Sequence, residues 1–318
     1  MIRFLKKTIN FMLLAGITFI PVSYITKEFL FCRVYNANNL KFAHEKNILL
    51  LGACDTEFSF DPAVIDNAIN VATPAENAFY AYHKALFLLK ANPQIHTIIM
   101  GYAYVSTSKN LEADMFGKNS KSFLNRFFML LDNTGREVIK KPDNKYYIVN
   151  LLKYQYGVPL DIFNEIELFV KILLGNIQPE DYQFMGGFQK DMIFFKRQPS
   201  TDPHDALARH FYSNNEIAGK SDITIDYLGR IASMCRDNNI NLIFIITPLR
   251  EDYLQKVPTL YRELSRETMQ KLKNINPSLQ FYDYSNFLTD PQYFVDCDHL
   301  NEKGAEIFSR EIKKSLNL

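Results

Sequence analysis

The chain of 318 residues is 47% hydrophobic and 14% aromatic, enough to bury a full core in one large domain or one domain with an insertion, which excludes a disordered chain. Lys plus Arg (36) nearly balance Asp plus Glu (35), and a net charge of +1 supplies no bulk field for nucleic acid, so no nucleic-acid partner is expected. The four cysteines, Cys32, Cys54, Cys235 and Cys297, match neither zinc-ribbon spacing nor a disulfide-stapled mini-domain, so the core has to hold the fold without them.

The first seven residues are basic through Arg3, Lys6 and Lys7, and Thr8 to Thr26 are mostly apolar. This is a start signal for secretion, and about 18 apolar residues stand at the short limit of the roughly 17–25 that span a bilayer. With no small-x-small cleavage site behind it, the stretch reads as an uncleaved anchor over 1–26. A cleaved signal peptide and a greasy first helix of a soluble domain are the alternatives. Basic residues held inside place everything after residue 27 outside the cytoplasm, giving a single-pass protein of the cell membrane.

Residues 27–46 read as a polar connector. Residues 47–51 read as a first strand, in which Ile48 to Leu51 is an all-apolar run ended by Gly52, the pattern of a strand buried on both faces. Asp61-Pro62 marks a turn, 68–71 a second strand, 76–90 a helix (Phe79, Tyr82, His83, Leu86, Leu89), and 95–100 a third strand ending at Gly101. That order predicts an α/β layered fold with a parallel sheet flanked by helices. Residues 105–220 are less regular and contain an aromatic segment at 123–131 and an apolar helix at 160–174 (Ile162, Phe163, Ile166, Phe169, Val170, Leu173). The block reads as a mainly helical insertion that covers the site or presses against the membrane, with core packing as the bland explanation of its helix. The α/β rhythm then resumes with a helix at 222–236, a strand at 242–246, a helix at 258–273, a strand at 279–282 and a closing helix at 302–316.

Two stretches carry chemistry. Cys54 follows the first strand at the carboxyl end where parallel sheets form their ligand crevices. Far along the chain, Asp296 stands three residues before His299, just ahead of the last helix. A thiol is nucleophilic as thiolate, an imidazole favours that form, and an acid orients the imidazole, so Cys54, His299 and Asp296 make a triad for acyl transfer or ester hydrolysis. The sulfur and the ring are expected about 3 to 4 Å apart. Backbone N–H groups around Cys54 and Ala72 are the candidate anion hole, with Gly52, Asp55, Gly101 and Tyr102 as further oxyanion or substrate contacts. The bland readings are a buried thiol and a helix cap from Asp298 or Asn301. Two rival arrangements remain open: zinc held by Cys54, Asp55, Cys297, Asp298 and His299, and a Cys54–Cys297 disulfide. The other histidines, His44, His83, His96, His204 and His210, lack metal-ligand spacing, and neither metal nor cofactor is expected.

The layout resembles the SGNH/GDSL hydrolase superfamily, including its membrane-anchored branches in cell-envelope polysaccharide modification. In that family a strand leads to Gly-Asp-Ser and the chain closes on Asp-x-x-His. Gly52-Ala53-Cys54 falls on the first motif, with Cys54 in the place of the serine, and Asp296-Cys297-Asp298-His299 falls on the second. The resemblance spans most of 47–316 outside the insertion and implies a three-layer, flavodoxin-like parallel sheet over 47–318. It further implies an envelope-facing acyl esterase or O-acyltransferase acting on a glycan, with acetyl as the acyl group. A catalytically inactive module that binds or scaffolds polysaccharide modification or export is the alternative. Implied partners are a glycan or acylated polysaccharide, the membrane through the N-terminal helix, and an envelope biosynthesis complex. The chain departs from the pattern at Ala53, in Asn70 to Pro74, which lacks the second-block glycine, and in Met100 to Tyr104, which lacks the oxyanion asparagine.

Overall fold

The computed structural model describes residues 2–32, 35–36, 38, 40–117, 120–140, 145–158, 160, 162–176, 184–190 and 201–318. The chain divides into two compact units, one of residues 1–40 with 120–183 and one of residues 41–119 with 184–318. The described flanks of the expected insertion, 105–117, 184–190 and 201–220, thus belong to the larger unit.

In the smaller unit, helix α1 (Ile2–Ile25) passes through Pro21 and runs directly into a π-helical turn, Thr26–Phe31. The stretch Arg3–Phe31 is long and apolar enough to cross a membrane, with a mean hydropathy of 1.7 over its most apolar window and only 6% of that window buried. Residues 27–31, expected to begin a polar connector, continue the helix instead, since Phe29, Leu30 and Phe31 extend its apolar surface. Short helices follow at Ser120–Phe127, Asn133–Lys140 and Lys145–Asn150, then a π-turn at Leu151–Gln155 and helix α4 (Ile162–Leu174). Aromatic contacts hold this unit together: Tyr154 lies 4.8 Å from Phe31 and 5.9 Å from Phe128, and the Arg136 guanidinium sits over the Phe128 ring.

The larger unit is built on five strands, β1 (Ile48–Leu51), β2 (Ala68–Asn70), β3 (Thr97–Gly101), β4 (Asn241–Ile246) and β5 (Gln280–Asp283). All pairs are parallel in the order β2-β1-β3-β4-β5, with Leu50 beside both Asn70 and Ile99, and Ile99 beside Ile243. Side chains alternate across the pleat. Ile48, Leu50, Ile99, Ile243 and Ile245 therefore join one core with Phe308 and Ile312, while Leu49, Leu51, Ile98, Leu242 and Phe244 are buried on the opposite face. Each such Leu or Ile contributes about 1.5–3 kcal/mol by leaving water. Helix α2 (Cys54–Ser59) packs on α8 (Glu302–Ser315), and α3 (Ala78–Leu89) packs on α6 (Asp222–Asp237), which in turn meets α7 (Thr259–Ile275). Helix α5 (Pro203–Phe211) and a small hairpin, Tyr212–Ser213 with Glu216–Ile217, complete the unit.

Among the described residues, one ion pair has both side chains wholly inside. Lys84 and Glu76 have no exposed side-chain surface and form an ion pair, and Lys84 also donates to the Val71 carbonyl at 2.6 Å.

The order places β1 and β3 at the point where the chain, having added β2 on one side, turns to add strands on the other. In open parallel sheets the crevice beyond the carboxyl ends at this point is where ligands bind.

Candidate active site

β1 ends at Leu51, and the backbone turns at Gly52 with φ of 145°, in the left-handed region that favours glycine. A Cβ there would also lie 2.2 Å from Thr56 Oγ1. Ala53 is extended and α2 begins at Cys54, so the N–H groups of Cys54 and Asp55 head the helix without intrahelical acceptors. Thr56 Oγ1 donates back to the Leu51 carbonyl at 3.3 Å, tying the helix to its strand. β3 closes on the same turn. At Gly101 a Cβ would meet Thr56 Oγ1 at 1.9 Å and Asp55 Oδ2 at 2.8 Å, so only glycine lets the strand end approach α2 this closely.

The second half of the site is local. An antiparallel bridge between Phe294 and Leu300 pinches the chain into a small loop, and Val295 N–H donates to the His299 carbonyl at 2.9 Å. Within the loop Asp296 Oδ1 accepts from the backbone N–H of Asp298 (3.0 Å) and of His299 (2.9 Å). The His299 ring then places Nδ1 at 2.9 and 3.0 Å from the two Asp296 oxygens. Asn301, accepting from Gly304 N–H at 3.0 Å, caps α8, so Asp298 is free of that duty. Arg250 clamps the loop from outside: Nη1 donates to the Asp296 carbonyl at 3.1 Å, Nη2 to the Thr201 carbonyl at 2.6 Å, and the guanidinium forks onto Asp252.

A cleft of about 1480 Å³ joins the two halves and is lined by Gly52, Cys54, Asp55, Gly101 and Tyr102 on one side and by Asp296, Asp298 and His299 on the other. Burial by itself would disfavour a charged His299 ring, yet the surroundings, Asp298 first and with it Asp296, hold its pKa well above the usual imidazole value. Asp296 is buried too, but the His299 charge and the hydrogen bonds from that ring and from the amides bring its carboxyl down to about 2. Among the described residues no hydrogen bond joins Cys54 Sγ to the His299 ring, so the sulfur and ring share the cleft without the close pairing expected of them.

Ala72 departs from expectation. It is fully buried, does not line the cleft, and spends its N–H on Asn70 Oδ1 at 3.0 Å, while its carbonyl accepts from Gly187 N–H. The cause is the Asn70 side chain, which curls over the end of β2 and also donates to the carbonyls of Thr56 and Phe60. Tyr102 lines the cleft with its backbone only as a neighbour, since its N–H donates to the Ile245 carbonyl at 2.9 Å. Its hydroxyl lies beside Ser265, Thr268 and Thr107, where burial pushes it up to about 12. Asp55 sits at the head of α2, and burial raises its carboxyl above the ordinary range, partly offset by the N–H of Thr56 and by His299.

The rival arrangements do not fit these contacts. All four cysteines are free thiols, so Cys54 and Cys297 are not bridged. Ligand atoms of Asp296, Cys297 and Asp298 lie within 4.8 Å of one another. Both Asp296 oxygens are, however, taken by His299, and Cys297 donates its S–H to Asp298 Oδ1 at 3.3 Å, with burial and the two acids raising its pKa. These groups hold protons among themselves, and Cys54 is not one of the cluster.

Three residues that support or line the site carry no signal from motif spacing: Arg250, which holds the loop from outside, and His210 and Tyr253. Arg250 follows the carboxyl end of β4, a position that topology marks as functional in a parallel sheet. His210 and Tyr253, which bond at 2.7 Å (Nδ1 to hydroxyl), also line the cleft, and burial lowers the His210 pKa against the pull of Asp298, whose Oδ2 lies 3.9 Å from His210 Nε2. Nothing in the irregular stretch around His210 signals this.

No family model matches the chain. Among curated proteins it is similar to a glutamate–tRNA ligase of Mycoplasma mycoides subsp. mycoides SC, 23% identical over 239 residues. That alignment covers 74% of this chain and 47% of the ligase, so the chain spans about half the length of the curated relative it matches.

Proposed function

We propose that the chain is an SGNH-type acyl esterase or O-acyltransferase, held at the membrane by α1 with its larger unit outside the cytoplasm and acting on an envelope glycan. The observation that carries this reading is that Cys54, from the end of β1, and the His299–Asp296 pair, from the loop before α8, open onto one cleft. The Cys54 thiolate attacks the acyl carbonyl and forms a C–S bond, while the carbonyl electrons move to oxygen. The N–H groups of Cys54 and Asp55 at the head of α2 meet that oxyanion. His299, with Nδ1 held by Asp296, delivers a proton from Nε2 to the departing alkoxide. It then takes one from water or an acceptor hydroxyl that attacks the thioester and frees the thiolate.

The test is hydrolysis of p-nitrophenyl acetate by the purified full chain in detergent. Activity is expected in the wild type and its loss in both Cys54→Ala and His299→Ala, whereas equal turnover in all three ends the reading. A non-catalytic glycan-binding module is favoured by one specific finding: Ala72 has no N–H to offer an oxyanion, because Asn70 takes it. That second reading expects glycan binding to survive Cys54→Ala with no ester turnover.

A further inference from the structure

Helix α4 carries an apolar stripe that its own unit leaves uncovered. Phe163 (83% exposed), Ile166, Val170, Leu173 (61%) and Leu174 all stand in solvent. At 100° per residue these five fall within one arc of about 100°, the width of a face that ordinarily seeks an apolar partner. The packed side runs from the flank beyond Leu173 round the back of the helix: the Phe169 ring lies 5.2 Å from Phe29, and Glu165 is buried. Glu167 and Lys171, paired at 3.2 Å, mark the polar flank between the two. The helix thus has three faces, and core packing explains only one of them.

What covers the stripe is indicated by where the helix is held. Val22, Ile25, Thr26 and Leu30 at the end of the apolar N-terminal helix line an open apolar pocket of about 210 Å³ together with Glu165, Phe169 and, at the edge of the stripe, Ile166 of α4. Counting from Lys7, the roughly 20 residues that cross the hydrocarbon core end near residue 27. Helix α4 is therefore fastened at the depth where the membrane helix leaves the acyl chains. Its 13 residues, at about 1.5 Å each, reach about 20 Å, too short to cross the bilayer and suited to lying along its surface. Ile148, Val149, Leu152 and Tyr156 of the same unit are exposed as well, while Lys145 and Lys153 alongside them hold their ammonium groups over the Tyr146 and Tyr154 rings.

We propose that α4 is an interfacial membrane helix, its Phe163–Leu174 stripe seated in the acyl-chain boundary of the same bilayer that α1 spans, on the side opposite Arg3, Lys6 and Lys7. The stripe fixes the orientation of a chain that α1 alone would leave free to swivel about one tether. This assignment is independent of the acyl chemistry proposed above.

The test uses the full chain in vesicles of phosphatidylcholine and phosphatidylglycerol. An environment-sensitive NBD label is placed at Phe163→Cys, Leu173→Cys, Leu13→Cys or, as the aqueous reference, Glu267→Cys, each in a Cys32→Ser/Cys54→Ser background. Blue-shifted emission and quenching by brominated lipid at 163 and 173, at least tenfold stronger than at 267, are expected. Water-like emission with iodide quenching at 163 and 173, while Leu13→Cys still reports acyl chains, overturns the proposal. Shielding at 163 that disappears on dilution into excess lipid overturns it too, since it assigns the stripe to a second copy. Slow labelling of buried Cys235 verifies the fold in each variant.

Discussion

Arg250 donates from Nη1 to the backbone carbonyl of Asp296 at 3.1 Å, fixing from outside the loop that presents His299 to the cleft. The guanidinium is itself oriented by its fork onto Asp252 and by the Thr201 carbonyl. Arg250→Met removes these donors without removing much volume, and is expected to cost about 1.5–3 kcal/mol, the worth of a charge-assisted hydrogen bond. A urea titration in micelles measures it. Ester turnover, under the proposed function, drops roughly 10²-fold through misplacement of the ring, the scale of a 1 Å error. Unchanged stability and turnover would show the clamp to be idle.

The Asp296–His299 pair gives stability an acid limb and an alkaline limb. Asp296 is held at about 2 in the fold. Its contribution is present above the unfolded value of about 3.9 and is lost as pH falls through the folded one, a loss of about 2.5 kcal/mol at roughly 1.36 kcal/mol per unit. His299 is raised in the fold. Its contribution is complete below the unfolded value of about 6.5 and disappears as pH rises through the folded one. Denaturant midpoints from pH about 2 to 9 are therefore expected to plateau between about 4 and 6.5. Asp296→Asn should remove the acid-side fall and lower the His299 pKa, read from imidazole NMR signals.

Gly101→Ala forces a Cβ to within 1.9 Å of Thr56 Oγ1 and 2.8 Å of Asp55 Oδ2. Overpacking of this kind costs about 1–3 kcal/mol. Thr56→Ala in the same chain removes the nearer clash, so the double variant is expected to recover part of the thermal midpoint lost by the single one. Equal midpoints for the two would show that the approach of β3 to α2 is not what demands glycine here.

Lys84→Met removes the cation beside Glu76 inside the core, where neither side chain has exposed surface, and leaves the carboxylate with the Thr73 hydroxyl but no opposite charge from Lys84. Breaking a buried pair from one side costs about 3–5 kcal/mol, because the remaining charge has no water to return to. Lys84→Met with Glu76→Gln should cost clearly less than the sum of the single changes. Additive costs would mean that the two charges do not interact.

The amino-acid order alone pointed to strands at 47–51, 95–100 and 242–246, because short apolar runs between turn residues suit strands buried on both faces, and the structure has strands at Ile48–Leu51, Thr97–Gly101 and Asn241–Ile246. It also determined the Asp296–His299 pair, since three residues in a tight loop bring acid and ring together whatever the rest of the chain does. Only the tertiary structure decided that Cys54, more than two hundred residues earlier, opens onto the same cleft, that Arg250 clamps the loop, and that His210 and Tyr253 line its wall. Those meetings depend on strand order, which no local spacing encodes. The same division separates α1 from α4: length and hydropathy mark the first as long and apolar enough to cross a membrane, whereas the apolar residues of the second read equally well as core until packing shows which of its faces is left bare. At Asn70 a side-chain oxygen captured the Ala72 N–H, a hydrogen bond between residues two apart whose geometry follows from the end of β2 and not from residue type.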